Sequence, residues 1–177
     1  MSPPTAYLLI LSEREALAWV LRHSRMAFPI TKRPEVDRLQ VGDRLFIVTT
    51  RGCWHNPNRD RTRVIGSAVA TTPVMPYESP VSIAGRDFTR GCDMEIHQLT
   101  AYRTGVELAE LVPQLHAFPD KRVGAWSLRL RRPLLFVDSR DTTLIERALD
   151  QMASRPEVVI PEYLLKIRPV ASNIRRT

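Results

Sequence analysis

The chain has 177 residues, a hydrophobic fraction of 44% and a net charge of +7 at neutral pH. This composition excludes an intrinsically disordered chain, and the length suits one domain better than two. No apolar run is long enough to span a bilayer, and the first residues lack the basic start and apolar stretch of a signal peptide. We therefore expect a cytoplasmic protein that does not enter membranes, with two free cysteines rather than a disulfide.

The positive charge is carried almost entirely by arginine, with lysine only at Lys32, Lys121 and Lys166. A basic surface raises the local concentration of DNA and RNA, and guanidinium groups hold phosphate with two hydrogen bonds and stack on bases. A GC-rich coding sequence also favours arginine codons regardless of function. The charge alone therefore supports a nucleic-acid partner only modestly.

The first elements are a strand and a helix. Residues 7–11 form a continuous apolar run of strand length, which predicts a buried strand. Ser12 and Glu15 match a capping box, in which each side chain satisfies the other residue's free backbone N–H. Apolar residues at helical spacing follow, so we predict a first helix over residues 13–23.

A hairpin is predicted next. The turn at residues 41–43 leads into a strong strand over residues 44–50, and residues 63–71 read as the strand that pairs with it. Residues 51–60 then form a long polar loop at the tip of the hairpin.

The second half of the chain gives weaker patterns. Residues 72–91 contain three prolines and two glycines and predict a connecting loop. The remaining predicted elements are strands over residues 94–102, 126–130 and 134–137, a short strand start with a helical turn over 106–115, and a closing helix over 142–152.

The order of strand, capped helix, Val-Gly-Asp turn and two paired strands resembles the EVE domain, a relative of the YTH and ASCH domains in the PUA-like superfamily. The supporting segments are residues 39–45, 64–69, 111–115, 123–127 and 141–145. The resemblance spans about residues 6–152. It indicates one domain over residues 1–177, in which residues 153–177 form a C-terminal extension.

The resemblance implies an α/β (α+β) fold, a curved and mostly antiparallel β-barrel flanked by helices. It also implies a pocket at one mouth of the barrel that accepts a modified nucleobase turned out of its strand. The chain departs from the family after the first helix, where Phe28 is the candidate to replace an aromatic wall. Such a pocket needs aromatic faces for stacking and polar groups for the pairing edge of the base.

Trp54 is the leading candidate for a wall, because an indole in a polar loop has little reason to be there unless it covers something. The alternative is that Trp54 packs back on the core and pins the loop. Trp19 and Trp126 are further candidates, although core packing is the stronger interpretation of both. Ser12, Thr49 and Thr50 are the candidates for hydrogen bonds to the base. The arginines predicted to hold phosphate are Arg51, Arg59, Arg61, Arg63, Arg22 and Arg25.

The first hypothesis is a non-catalytic reader of a methylated or hydroxymethylated base, in DNA in preference to RNA. The sequence contains none of the common catalytic or phosphate-loop motifs, and we predict no catalytic residue, metal or cofactor. An enzyme acting on nucleotides or nucleic acid is an alternative, using Cys53 with His55 or His97 with Glu95. A third hypothesis is an adaptor whose basic surface binds an acidic protein.

Overall fold

The computed structural model describes residues 2–167, and in this range the chain forms nine strands and six α-helices. The strands are β1 Ala6–Leu11, β2 Arg25–Phe28, β3 Arg44–Thr49, β4 Arg63–Ala70, β5 Met75–Ile83, β6 Arg86–Thr100, β7 Val106–Glu107, β8 Leu134–Val137 and β9 Ala153–Ser154. The helices are α1 Arg14–His23, α2 Pro34–Asp37, α3 Leu108–Leu111, α4 Ala125–Leu128, α5 Ser139–Asp150 and α6 Pro156–Lys166.

The strands form one strongly curled half-barrel with flanking helices, which confirms the predicted fold class. The sheet has the order β2-β6-β4-β3-β1-β8. Strand β1 is parallel to β3, and the other pairings are antiparallel. Because β1 and β3 run the same way, their carboxyl ends meet at one edge, where Leu11 lies opposite Thr49.

Strand β1 is continuously apolar because each of its faces lies against a separate core. Tyr7, Leu9 and Leu11 pack with α1 and α6 on one side of the sheet. Their neighbours in β1 point the other way, into a core built with α3 and α5. Alternate side chains of a strand point to opposite faces, so a strand buried on both faces reads as an unbroken apolar run.

The predicted capping box is wrong. Helix α1 begins at Arg14 with Glu13 as its N-cap, and no side chain caps it. The backbone N–H of Arg14 instead donates to the carbonyl of Cys53 at 3.0 Å. The loop after β3 therefore docks on the start of α1 and supplies an acceptor that a serine hydroxyl would otherwise provide.

The predicted connecting loop over residues 72–91 is also wrong, because most of it forms the hairpin of β5 and β6. The turn of the hairpin is Ala84-Gly85, with φ values of 51° and 74°. Positive φ at both central residues is typical of the type I′ turn, which matches the twist of paired strands. Among the described strands, β5 pairs only with β6, and its register shifts between Pro76 and Val81, so an edge position and a bulge accommodate the prolines.

The strand predicted over residues 126–130 is instead the short helix α4. Gly124 precedes it with a φ of 86°, which favours glycine and turns the chain into the helix. The ring of Trp126 then lies edge-on to Phe118, with the centroids 5.9 Å apart. The closing helix begins three residues earlier than predicted, because the side chain of Asp138 accepts the backbone N–H of Asp141 as a cap.

The first part of the C-terminal extension is built into the fold. Strand β9 pairs with the end of β6, and α6 places Val159 and Tyr163 in the core. The hydroxyl of Tyr163 donates to the carbonyl of Thr100 at 3.0 Å. Residues 168–177 of the extension, including its last two arginines, lie outside the described residues. Within residues 2–167, no helix has both the length and the apolar character needed to cross a bilayer.

Candidate nucleic-acid interface

A cavity of about 660 Å³ opens where the carboxyl ends of β1 and β3 meet the amino end of α1. Strand β2 forms part of its floor through Met26 and Ala27, which are buried. The turn of the β5–β6 hairpin forms one side of its mouth, and residues 123–133 form the other. The curled sheet thus brings together segments that are far apart in the sequence.

Three partly exposed aromatic side chains line this cavity, namely Trp19, Phe88 and Trp126. Trp19 and Trp126 were predicted from the sequence, whereas Phe88 was missed because its segment was interpreted as a loop. The ring of Trp19 is also 5.0 Å from that of His23, so the outer face of α1 supports it. The cavity therefore has aromatic faces on separate walls.

Polar groups lie at the strand ends. The predicted residues Ser12 and Thr50 line the cavity, together with Glu13, which was not predicted. The backbone N–H of Arg51 donates to the hydroxyl of Thr62 at 3.2 Å, which fixes the start of the loop that borders the cavity.

Two other predicted pocket residues lie in the core instead. Thr49 is buried on β3, and Phe28 is fully buried on β2 among apolar side chains. Neither residue lines the cavity. Both side chains point inward, because Phe28 and Thr49 lie at the ends of β2 and β3 and the sheet buries these ends.

Trp54 does not form the predicted wall, because its side chain packs in the core and is only 8% exposed. Its ring meets Tyr102 edge-on at a centroid distance of 5.2 Å, and the guanidinium of Arg103 lies 5.3 Å over it. That guanidinium also donates to the carboxylate of buried Asp60 at 2.7 Å. Arg103 and Asp60 thus hold the polar loop closed over Trp54, which corrects the prediction.

Arginine side chains surround the mouth of the cavity, but most differ from those predicted. Of the predicted set, Arg51 lines the cavity, and it is joined by Arg86, Arg131 and Arg132. Arg132 pairs with Glu35 at 3.0 Å. Within the described part of the chain, Arg51, Arg86 and Arg131 form no ion pair, so their charges face solvent.

The other predicted arginines do not gather at this cavity. Arg22 lines a neighbouring cavity of about 590 Å³, and Arg25 pairs with Asp93 at 2.7 Å. Arg63 lies 3.9 Å from Asp60, and the remaining two, Arg59 and Arg61, are exposed on the loop. The pair Arg131-Arg132, close after Trp126 in the sequence, was the available sign that arginines from this segment line the cavity.

Neither of the residue pairs considered for catalysis lines the 660 Å³ cavity. Burial, reinforced by the nearby carboxylate of Glu15, raises the pKa of the Cys53 thiol to about 12. Such a thiol stays protonated at neutral pH, and a protonated thiol is a poor nucleophile. His97 lies 3.7 Å from Glu95 on an exposed part of β6, and neither residue lines a described cavity.

Two groups of described residues have the spacing to hold a cation, with three ligand atoms within 4.8 Å of one another. The group of Glu13, Glu15 and His55 lies beside the two cavities. In the other group, the carboxylate of Asp141 accepts the backbone N–H groups of His116 and Ala117, each at 2.8 Å. This second group docks the chain after α3 on the start of α5.

No protein-family model and no curated protein matches this sequence. Solved structures do share its fold. The Rpa0253 protein of Rhodopseudomonas palustris is 15% identical, with a TM-score of 0.51, over 83% of this chain and 94% of that chain. Human THYN1, solved in complex with 5-methylcytosine-containing DNA, is 10% identical, with a TM-score of 0.50, over 93% of this chain and 99% of THYN1.

The YTH domain of Zygosaccharomyces rouxii MRB1 was solved in complex with N6-methyladenosine RNA. It is 10% identical, with a TM-score of 0.53, over 83% of this chain and 87% of that domain. At these identities the similarity establishes architecture alone. The chain therefore has a PUA-like fold, the architecture that it shares with THYN1 and the YTH domain.

Proposed function

We propose that this chain is a non-catalytic, EVE-type reader of nucleic acid that holds one methylated or hydroxymethylated base in the 660 Å³ cavity. The observation that carries the proposal is that three partly exposed aromatic side chains line one cavity together with three arginines that have no carboxylate partner among residues 2–167. The volume lies within the range of about 300–1,000 Å³ that is usual for small-ligand sites.

The cavity offers a modified base the two kinds of contact that it needs. Trp19, Phe88 and Trp126 line the cavity, and stacking on an aromatic side chain contributes roughly 1–3 kcal/mol per base. The guanidinium of Arg86 lies 5.7 Å over the ring of Phe88 and would move aside for a base on that face. Glu13 and Thr50 supply acceptors and a donor for the polar edge of the base. A carboxylate accepts from an exocyclic amino group, which cytosine and adenine both carry.

The rim suits the phosphates that flank a base turned into the cavity. Arg51, Arg86 and Arg131 have no internal carboxylate partner among the described residues, so binding phosphate would not require breaking an ion pair. Guanidinium groups form paired, charge-assisted hydrogen bonds with phosphate. These contacts hold the strand in place, and the cavity supplies specificity for the base.

The non-catalytic role is supported by the state of the candidate nucleophile. The buried Cys53 thiol has a pKa of about 12, and the pair of His97 and Glu95 lies outside the cavity. Modified DNA is our first choice of partner, in line with the fold shared with THYN1, and modified RNA is the competing outcome.

The test is a panel of oligonucleotides of one sequence, as DNA and as RNA, carrying 5-methylcytosine, 5-hydroxymethylcytosine, N6-methyladenine or no modification. Dissociation constants are measured by fluorescence anisotropy at two salt concentrations. We expect one modified oligonucleotide to bind more tightly than its plain counterpart at both concentrations. Equal affinity for modified and plain oligonucleotides would refute base reading, whatever the overall affinity.

A further inference from the structure

Val123 stands at the mouth of the cavity with almost its entire side chain in water. It is 98% exposed, the highest exposure among the large hydrophobic residues described. An isolated exposed aliphatic residue is ordinary on a protein surface. Val123 differs because it borders the cavity and because the segment that carries it is firmly held.

The segment is anchored before Val123. Phe118 is fully buried in the second core, so the chain leaves from a fixed point. The ammonium of Lys121 donates to the carbonyl of Val112 at 3.0 Å and also to that of Leu115. These bonds tie the start of the segment to the turn that follows α3.

The segment is anchored after Val123 as well. Gly124 adopts a φ of 86°, and α4 begins directly after it. The ring of Trp126 packs edge-on against Phe118, which joins the two ends of the segment. Val123 is therefore an apolar tip on a short, braced projection.

Charged groups beside the tip suit a strand on either side. Arg122 is next to Val123 and largely exposed, but its guanidinium pairs with Asp120 at 2.6 Å, so the charge available to a strand comes from two other arginines. Arg131 lies on the same side of the mouth, and Arg86 lies on the hairpin that forms the other side. An apolar projection between guanidinium groups fits a partner that is apolar inside and anionic outside, as a base-paired duplex is.

We propose that Val123 is a wedge that enters the base stack of a duplex when the modified base turns out into the cavity. The inference rests on the proposed function and adds that the substrate is double-stranded. Extrusion leaves a gap in the stack and costs a few kcal/mol, and apolar side chains that enter base steps are a known way to bend and open a duplex. A valine in the gap replaces part of the lost stacking.

The test compares Val123→Ser with Leu128→Ser on matched modified oligonucleotides, single-stranded and duplex. Leu128 lies in α4, is 55% exposed and does not line the cavity, so it is the control. We expect Val123→Ser to weaken duplex binding by roughly 4- to 12-fold, the change expected when about half of a valine's burial is lost. Single-strand binding should stay within about twofold of wild type, because there is no gap to fill.

A duplex with a mismatch opposite the modified base provides the second measurement. A mismatched base costs less to extrude, so the mismatch should restore most of the affinity that Val123→Ser loses. Equal effects on single strands and duplexes, or no effect on either, would overturn the wedge while the preference for the modified base stands. If wild type shows no such preference on any strand, the proposed function fails, and the wedge fails with it.

Discussion

Replacing Phe88 by alanine removes one aromatic wall of the cavity at little cost to the core. Phe88 is partly exposed on β6, whereas Trp19 and Trp126 also pack against the cores. It is the smallest of the three walls, so its share of the stacking energy falls at about 1–2 kcal/mol. This loss corresponds to a decrease of roughly 5- to 30-fold in affinity for the modified oligonucleotide.

The control is Phe136→Ala, since Phe136 is a strand phenylalanine that is 54% exposed and lies outside the cavity. Its ring contacts Tyr7 edge-on at 6.4 Å, and the ring of Phe88 lies under the Arg86 guanidinium at 5.7 Å, so each variant loses one partly exposed phenyl ring with one neighbour. Titrations by fluorescence anisotropy should show Phe88→Ala losing preference for the modified oligonucleotide and Phe136→Ala keeping it. Phe88→Leu, which retains apolar volume but lacks a π-face, should resemble Phe88→Ala.

Thermal denaturation of the same variants separates binding from folding. The reasoning fails if Phe88→Ala binds the modified oligonucleotide as wild type does. It also fails if affinity for plain and modified oligonucleotides falls by the same factor, since Phe88 would then be a general platform rather than part of a base pocket.

Because Trp54 is a core residue, Trp54→Ala should destabilise the fold by about 3–5 kcal/mol, as measured by denaturation. Fluorescence anisotropy should show that it lowers binding to all oligonucleotides equally. Arg131→Ala should reduce the slope of log affinity against log salt by about 0.9, whereas Arg25→Ala, outside the cavity, should leave it unchanged. The pKa values of Cys53 and Cys92 are raised by burial from about 9 to about 12. Between these values the unfolded chain loses protons that the native chain keeps, so the free energy of unfolding falls as pH rises. The fall is up to about 1.4 kcal/mol per pH unit for each thiol. Urea denaturation from pH 8 to 11 should show this fall in the wild-type protein and a smaller fall in Cys53→Ala.

The parts of the fold that the sequence predicted are those set by local patterns. The apolar run of β1 and the hairpin of β3 and β4 follow from strand periodicity, and both are confirmed. Ser12 and Thr50 were candidates because they follow strand ends, and both line the cavity. Trp19 and Trp126 were given core packing as the stronger interpretation, and each both packs against a core and lines the cavity.

The failures depend on contacts between distant residues. Buried Trp54 packs on Tyr102 and lies under Arg103, whose partner Asp60 is 43 positions away, and no local pattern reveals these contacts. The hairpin that carries Phe88 was hidden by prolines, which an edge strand with a shifted register tolerates. The polarity of residues 51–60 suggested an open loop around Trp54, and the prolines of residues 72–91 suggested a connecting loop around Phe88.

The most direct measurement is a crystal structure of the complex with the tightest-binding modified oligonucleotide from the panel. It should show the modified base out of its strand and inside the cavity, with its ring against Phe88 or a neighbouring tryptophan and a flanking phosphate on Arg51, Arg86 or Arg131. A complex in which every base stays stacked and the strand lies on another face of the protein would contradict the central claim.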